Sequence, residues 1–177
     1  KNNLDIQESM VAVRLKKPFH ASLETLIDVY RAVENSLQES QHIAAVAIGD
    51  EGGFVADFPN NKEPLKVLNG ILEERKLSGW SLALDAAASN FEKDGAYVFE
   101  GKERSGEDLV NIYQEYFSSI PRLLSIEDPF GEHHGEMFQT LLSKVSDRMI
   151  VGDDLTVTNA RMIETAVQEH MINAVII

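Results

Sequence analysis

The chain has 177 residues, 44% of them hydrophobic, with 29 acidic against 16 basic side chains and a formal net charge of −13. An acidic excess of this size leaves no basic stripe to neutralise phosphates, which argues against a nucleic-acid binder. The lack of any cysteine removes disulfides, thiolate zinc sites and cysteine nucleophiles, and fits a reducing compartment. No apolar run approaches the roughly 20 residues of a membrane span, so no membrane partner is expected. The length supports a core but falls short of the roughly 250 residues typical of a closed eight-unit βα barrel. The opening Lys1-Asn2-Asn3 carries neither an initiator Met nor a signal-peptide pattern, and the chain reads as part of something longer.

In chain order, Leu23, Leu26, Ile27, Tyr30, Val33 and Leu37 recur at the 3.6-residue period and predict a helix over 22–39. The apolar run 44–48 predicts a buried strand, followed by a Gly52-Gly53 loop reaching Asn60-Asn61. A second helix is predicted over 62–76, with Pro64 tolerable in its first turn and Leu65, Leu68, Ile71 and Leu72 facing inward. Gly70 weakens that helix. Residues 80–84 read as a strand, and the polar, aromatic stretch 91–102 with Gly95 and Gly101 as a small excursion or hairpin. Ser105 and Asp108 have capping-box spacing and predict a helix start, the helix running to about 118 with Leu109, Tyr113, Tyr116 and Phe117 inward. Beyond it come a strand over 122–126, a short helix over 137–145, a strand over 148–151, a helix over 159–170 with Met162, Ile163, Ala166 and Val167 inward, and a strand beginning at Ala174.

Strand–helix alternation with short links means an α/β fold with a parallel sheet. The array reads as one alternating domain over 1–177 rather than two.

Four of the apolar runs end in carboxylates: 44–48 in Gly49-Asp50-Glu51, 82–84 in Asp85, 123–126 in Glu127-Asp128, and 149–151 in Gly152-Asp153-Asp154. In parallel α/β sheets the carboxyl ends of the strands share one rim and build the site. If Asp85, Glu127 and Asp153 end three adjacent strands, their side chains converge. Two carboxylates about 4 Å apart repel by roughly 4 kcal/mol at an effective dielectric of 20. Protons or a hard cation such as Mg²⁺, which takes oxygen ligands in an octahedron, relieve that repulsion. The competing reading is that these acids cap helices or pair with Lys and Arg at the rim. His133-His134 is either a second metal or imidazole site or, preferred here, a polar loop, since adjacent residues seldom point at one ion. His20, His42 and His170 read as surface or packing residues. The Gly52-Gly53 pair lacks the Lys-Ser or Lys-Thr of a P-loop. Ser89 and Ser125 lack partners for a hydrolase triad.

Ser125-Ile126-Glu127-Asp128-Pro129-Phe130 and Gly152-Asp153-Asp154-Leu155-Thr156-Val157-Thr158-Asn159 resemble signature stretches of the enolase family. Gly49-Asp50-Glu51-Gly52-Gly53-Phe54, Ala83-Leu84-Asp85-Ala86-Ala87-Ala88-Ser89 and Gln7-Glu8 are similar to three more, in the family's order. The resemblance implies that 1–177 is an incomplete TIM-type barrel of four to five βα units, about the first half of the family's C-terminal domain, without the N-terminal α+β domain. An open half-barrel leaves edge strands and apolar interior uncovered, so assembly with another copy or with further segments, or marginal stability, is expected. It implies reversible dehydration of 2-phosphoglycerate to phosphoenolpyruvate in glycolysis and gluconeogenesis, a cytoplasmic location and a homo-oligomeric parent. By the same resemblance Asp85, Glu127 and Asp153 bind Mg²⁺, and Glu127 and Asp153 also border the substrate. Glu51 is the general acid at the leaving hydroxyl, Glu8 its partner there, and Gln7 part of the substrate pocket.

The family's base is a Lys that alignment places just beyond Ile177, so this chain alone is expected to lack turnover. The family's later Arg-Ser pair and second Lys, and the His-bearing loop ahead of Gln7, have no counterpart either. Ser9 stands where the family has an aromatic residue, and Glu132-His133-His134 is an unusual continuation after Phe130. These departures keep two alternatives open. One is a catalytically inactive enolase-like binding or scaffold protein. The other is a superfamily member acting on a different carboxylate substrate, against which the Gly49 and Gly152 stretches argue.

Overall fold

The structure, a computed structural model, describes residues 2–15, 18–40 and 46–177. Its elements run β1 (Glu8–Val13), α1 (Phe19–Glu39), β2 (Val46–Ile48), β3 (Phe54–Ala56), α2 (Glu63–Glu74), β4 (Trp80–Asp85), a 3-10 turn (Ala88–Asn90), β5 (Glu92–Lys93), β6 (Ala96–Phe99), β7 (Lys102–Arg104), α3 (Gly106–Ser119), β8 (Leu123–Glu127), α4 (Gly135–Lys144), β9 (Met149–Gly152), α5 (Ala160–Gln168) and β10 (Ala174–Val175). The chain forms two compact units, Lys1–Leu4 with Val11–Ser81, and Asp5–Met10 with Leu82–Ile177.

The main sheet has the order β1-β4-β8-β9-β10. The pairs β4/β8, β8/β9 and β9/β10 are parallel, each joined through a helix as parallel neighbours require. Four of the sheet strands, β1, β4, β8 and β9, are followed by a helix before the next sheet strand, and among the described residues the order does not close on itself. This is the α/β arrangement with a parallel sheet expected from the alternation, and its open order agrees with the partial barrel that the resemblance implies. β1 was not foreseen as a strand.

In the first unit, α2 buries Leu65, Leu68, Ile71 and Leu72, the stripe read from sequence, with Pro64 in its first turn where a missing N–H does no harm. Gly70 sits mid-helix with open space around the position of a Cβ. Gly70→Ala is therefore expected to raise stability by up to about 1 kcal/mol, read as a higher denaturant midpoint with an unchanged slope. α1 buries Ser22, Val29 and Leu37, while Leu23, Ile27 and Tyr30 of the expected inner face are exposed.

The expected buried strand over 44–48 is corrected. Its first two residues lie outside the described residues, as does His42. Val46–Ile48 pairs antiparallel with Phe54–Ala56, and Ala47 and Ile48 are exposed. The cause is local: Gly49 N–H donates to Gly53 O at 2.8 Å, and Gly52 N–H to Gly49 O at 2.9 Å. Gly52 has φ 83°, which only glycine adopts at no steric cost. The loop expected to run to residue 60 instead turns back at once as a hairpin. Tyr30 stacks on Phe54 with centroids 4.4 Å apart, and its hydroxyl donates to Gly52 O at 2.8 Å.

In the second unit the predicted excursion is a three-stranded antiparallel sheet, β5-β6-β7. α3 opens with the predicted capping box: Ser105 Oγ accepts from Asp108 N–H, and Asp108 Oδ2 from Ser105 N–H. The Ser105 N–H and hydroxyl, both donating to Asp108 Oδ2 at 2.9 Å, hold the Asp108 carboxyl below its ordinary value. α3 buries Leu109, Tyr113, Tyr116 and Phe117, as its period predicted. In α5 only Ala166 is buried, and Met162 and Val167 of the expected inner face are exposed. Among the described residues no helix is long and apolar enough to cross a membrane.

Candidate metal centre

β4 terminates at Asp85 and β8 at Glu127, and these two residues face each other in register. Glu127 is in turn paired with Val151 of β9, two residues before Asp153. The backbone thus brings Asp85, Glu127 and Asp153 to the carboxyl ends of three adjacent parallel strands, spaced about 4.8 Å apart in the hydrogen-bonding direction. The apolar runs that precede them bury Leu82, Leu84, Leu123, Ile126, Ile150 and Val151, and this buried stem holds the rim.

Asp85 is only 8% exposed. Its Oδ1 accepts the Ala87 N–H at 3.0 Å, and its Oδ2 accepts Gln7 Nε2 at 3.0 Å. Asn90 Nδ2 donates to Gln7 Oε1 at 3.3 Å, so Asn90 orients Gln7, which orients Asp85. Burial pushes the Asp85 carboxyl up to about 7 against the Ala87 hydrogen bond, with the charges of Asp128, Glu8 and Asp154 adding. Burial, then the charges of Asp85, Asp128, Asp153 and Glu8, push Glu127 up to about 7 as well. Glu8, at the start of β1, is thereby within electrostatic reach of both.

The side chains are not gathered on one point. Among the described residues no three His, Asp or Glu groups stand where they could hold a metal ion together. Asp85 has a reason, since both of its oxygens are engaged by donors, Ala87 N–H and Gln7 Nε2. The chemistry of the donor set nevertheless fits a hard divalent cation. Every donor is a carboxylate oxygen, all three acids stand on neighbouring strand ends, and the charges of Asp85 and Asp153 oppose the ionisation of Glu127.

Glu51 is exposed on the turn between β2 and β3, in the first unit. The His pair splits as a loop would. His133 is exposed beside Glu132, while His134 Nε2 meets Glu92 Oε1 at 3.1 Å, and Tyr97 OH accepts the Gly131 N–H at 3.1 Å. These contacts tie the β8–α4 loop to the β5–β7 sheet.

Two site residues escaped the sequence reading. Asn90 left no signal. Asp128 was visible only as the neighbour of Glu127, yet it is 3% exposed and accepts N–H groups from the segment after β9.

Comparison with known proteins adds a second line. The sequence matches the family described as "Enolase, C-terminal TIM barrel domain" over residues 1–177. It is similar to a protein named Enolase from Beutenbergia cavernae, 35% identical over 180 residues, covering 99% of this chain and 42% of that protein. The chain thus spans less than half the length of that relative. With strand-end acids, partial-barrel topology and whole-chain match in agreement, this chain belongs to the enolase family, within its C-terminal TIM barrel domain.

Proposed function

We propose that the chain is the metal- and substrate-holding part of a Mg²⁺-dependent lyase that reversibly dehydrates 2-phosphoglycerate to phosphoenolpyruvate, a glycolytic and gluconeogenic step carried out in the cytoplasm by a homo-oligomeric parent. The observation that carries the reading is the placement of Asp85, Glu127 and Asp153 on three adjacent parallel strand ends. In it these residues hold Mg²⁺ through carboxylate oxygens, and Glu127 and Asp153 also border the substrate. The cation, when bound, supplies Lewis-acid stabilisation of negative charge that develops on a substrate carboxylate.

The chain's own groups do the rest. Gln7 Nε2, bonded to Asp85 Oδ2 at 3.0 Å, fixes the rotamer of that ligand and lines the substrate pocket. Loss of a hydroxyl group needs a proton donor beside the departing oxygen, the role given to Glu51 with Glu8 as its partner. Abstraction of the carbon-bound proton needs a base. No lysine occurs among residues 82–92, 123–132, 149–158 or 174–177, so the chain by itself is expected to bind without turning over.

A coupled assay with 2-phosphoglycerate on the full-length protein tests the reading. Phosphoenolpyruvate formation that chelation abolishes and Mg²⁺ restores is the expected result. No turnover with this substrate under saturating Mg²⁺ overturns it and favours a non-catalytic binding role.

A further inference from the structure

Asp128 makes more contacts than a capping acid needs. Its backbone sits in the left-handed region, φ 39°, which strains a non-glycine residue. Asp153 N–H donates to both of its carboxylate oxygens at 3.2 Å, Asp154 N–H to Oδ2 at 2.7 Å, and Leu155 N–H to Oδ1 at 3.4 Å. Its own N–H donates to Val151 O at 3.0 Å, and its carbonyl accepts the Ala88 N–H at 3.0 Å. One residue thus links the ends of β4, β8 and β9. Three successive N–H groups converging on one anion form a backbone nest. Here the anion is the protein's own side chain, held beside the like charge of Asp154. The segment it gathers is tightly folded, with Thr156 and Val157 N–H groups donating to Asp153 O at 2.9 and 2.7 Å and left-handed residues at Val157 and Thr158.

We propose that Asp128 is a positioning residue: by gathering the N–H groups of Asp153, Asp154 and Leu155 it holds the Asp153 carboxylate at the rim beside Glu127, and so sets the affinity of the strand-end site for a divalent cation. The proposal rests on the reading of Asp85, Glu127 and Asp153 as the cation-holding set. It assigns Asp128 no contact with the cation. Its action passes through the backbone of Asp153, in the way that groups behind metal ligands generally tune them.

The test is calorimetric titration of the full chain with Mg²⁺, paired with amide hydrogen exchange at 153–155 on the same samples. Asp128→Asn turns one acceptor into a donor facing N–H groups. It is expected to weaken Mg²⁺ binding at least tenfold and to speed exchange of the Asp154 amide, with the far-UV circular dichroism unchanged. Asp128→Glu keeps the charge but displaces the oxygens, and is expected to weaken binding less. It serves also if the Asn variant fails to fold. Added to Asp153→Asn, Asp128→Asn should change the affinity by less than about twofold, since two steps of one path do not add.

Mg²⁺ affinity within twofold of the parent in the folded Asp128 variants overturns the proposal. Weaker binding with unaltered Asp154 exchange also overturns it, because Asp128 would then be a ligand. If Asp153→Asn itself leaves Mg²⁺ binding intact, the cation reading fails and takes the proposal with it. If Asp153→Asn abolishes binding while the Asp128 variants retain it, the proposal alone fails.

Discussion

Stripped of divalent cations by a chelator, the chain should lose stability as pH rises from about 4 to about 7 and then level off. Asp85 and Glu127 have ordinary values of 3.8 and 4.5 and are both pushed up to about 7 in the fold, chiefly by burial. Between those limits the folded chain holds protons that the unfolded chain has released. Stability therefore falls with rising pH. The contribution is complete below the unfolded values and gone above the folded ones. Each pKa unit is worth about 1.4 kcal/mol, and with water screening the part-exposed Glu127 the expected fall is several kcal/mol. Asp108, held below its ordinary value, works in the opposite sense, but only at pH below that value, so the two windows do not overlap.

Mg²⁺ should restore much of what is lost, by about 2.7 kcal/mol at a hundredfold excess over its dissociation constant. Glu127→Gln should flatten the pH dependence while removing the rescue by Mg²⁺. Urea midpoints measured from pH 4 to 8, with chelator and with Mg²⁺, give the answer. A midpoint independent of pH in chelator would contradict the electrostatics assigned to the rim.

The second large effect concerns packing. Phe130 is 1% exposed, with ring centroids of Phe138, Tyr113 and Tyr97 at 5.5, 5.9 and 6.3 Å, all edge-on. Tyr113 OH donates to Pro129 O at 3.1 Å, so the same aromatic cluster fastens the backbone between Asp128 and Phe130. Phe130→Ala should lower stability by about 3–5 kcal/mol, a large share of the about 5–15 kcal/mol typical of a domain. The measurement is a denaturant midpoint at constant slope. A loss below about 1 kcal/mol would mean that the surrounding rings close over the gap. Because Phe130 lies two residues from Asp128, a folded Phe130→Ala chain is also expected to bind Mg²⁺ more weakly.

What sequence could and could not disclose divides along physical lines. The capping box of Ser105 and Asp108 was legible because its partners lie three residues apart and their geometry depends on one turn of backbone. The buried stripes of α2 and α3 followed from period alone. The run ending at Ile48 was misread, because a short apolar run looks alike whether it enters a parallel sheet or a hairpin. The Gly49–Gly53 hydrogen bond decided between them. The inner face expected of α5 was misread for a related reason: a periodic apolar stripe says that a face prefers burial, and says nothing of whether a neighbour covers it.

The pattern of apolar runs ending in acids was sufficient, with no coordinates, for an α/β fold and for Asp85, Glu127 and Asp153 as strand-end carboxylates, since strand polarity and side-chain period are local properties of the chain. The hydrogen bond from Gln7 to Asp85 spans 78 positions, and the gathering of three backbone N–H groups by Asp128 spans 25 or more. Neither leaves a trace in residue order, because both arise from which strand ends the sheet places side by side.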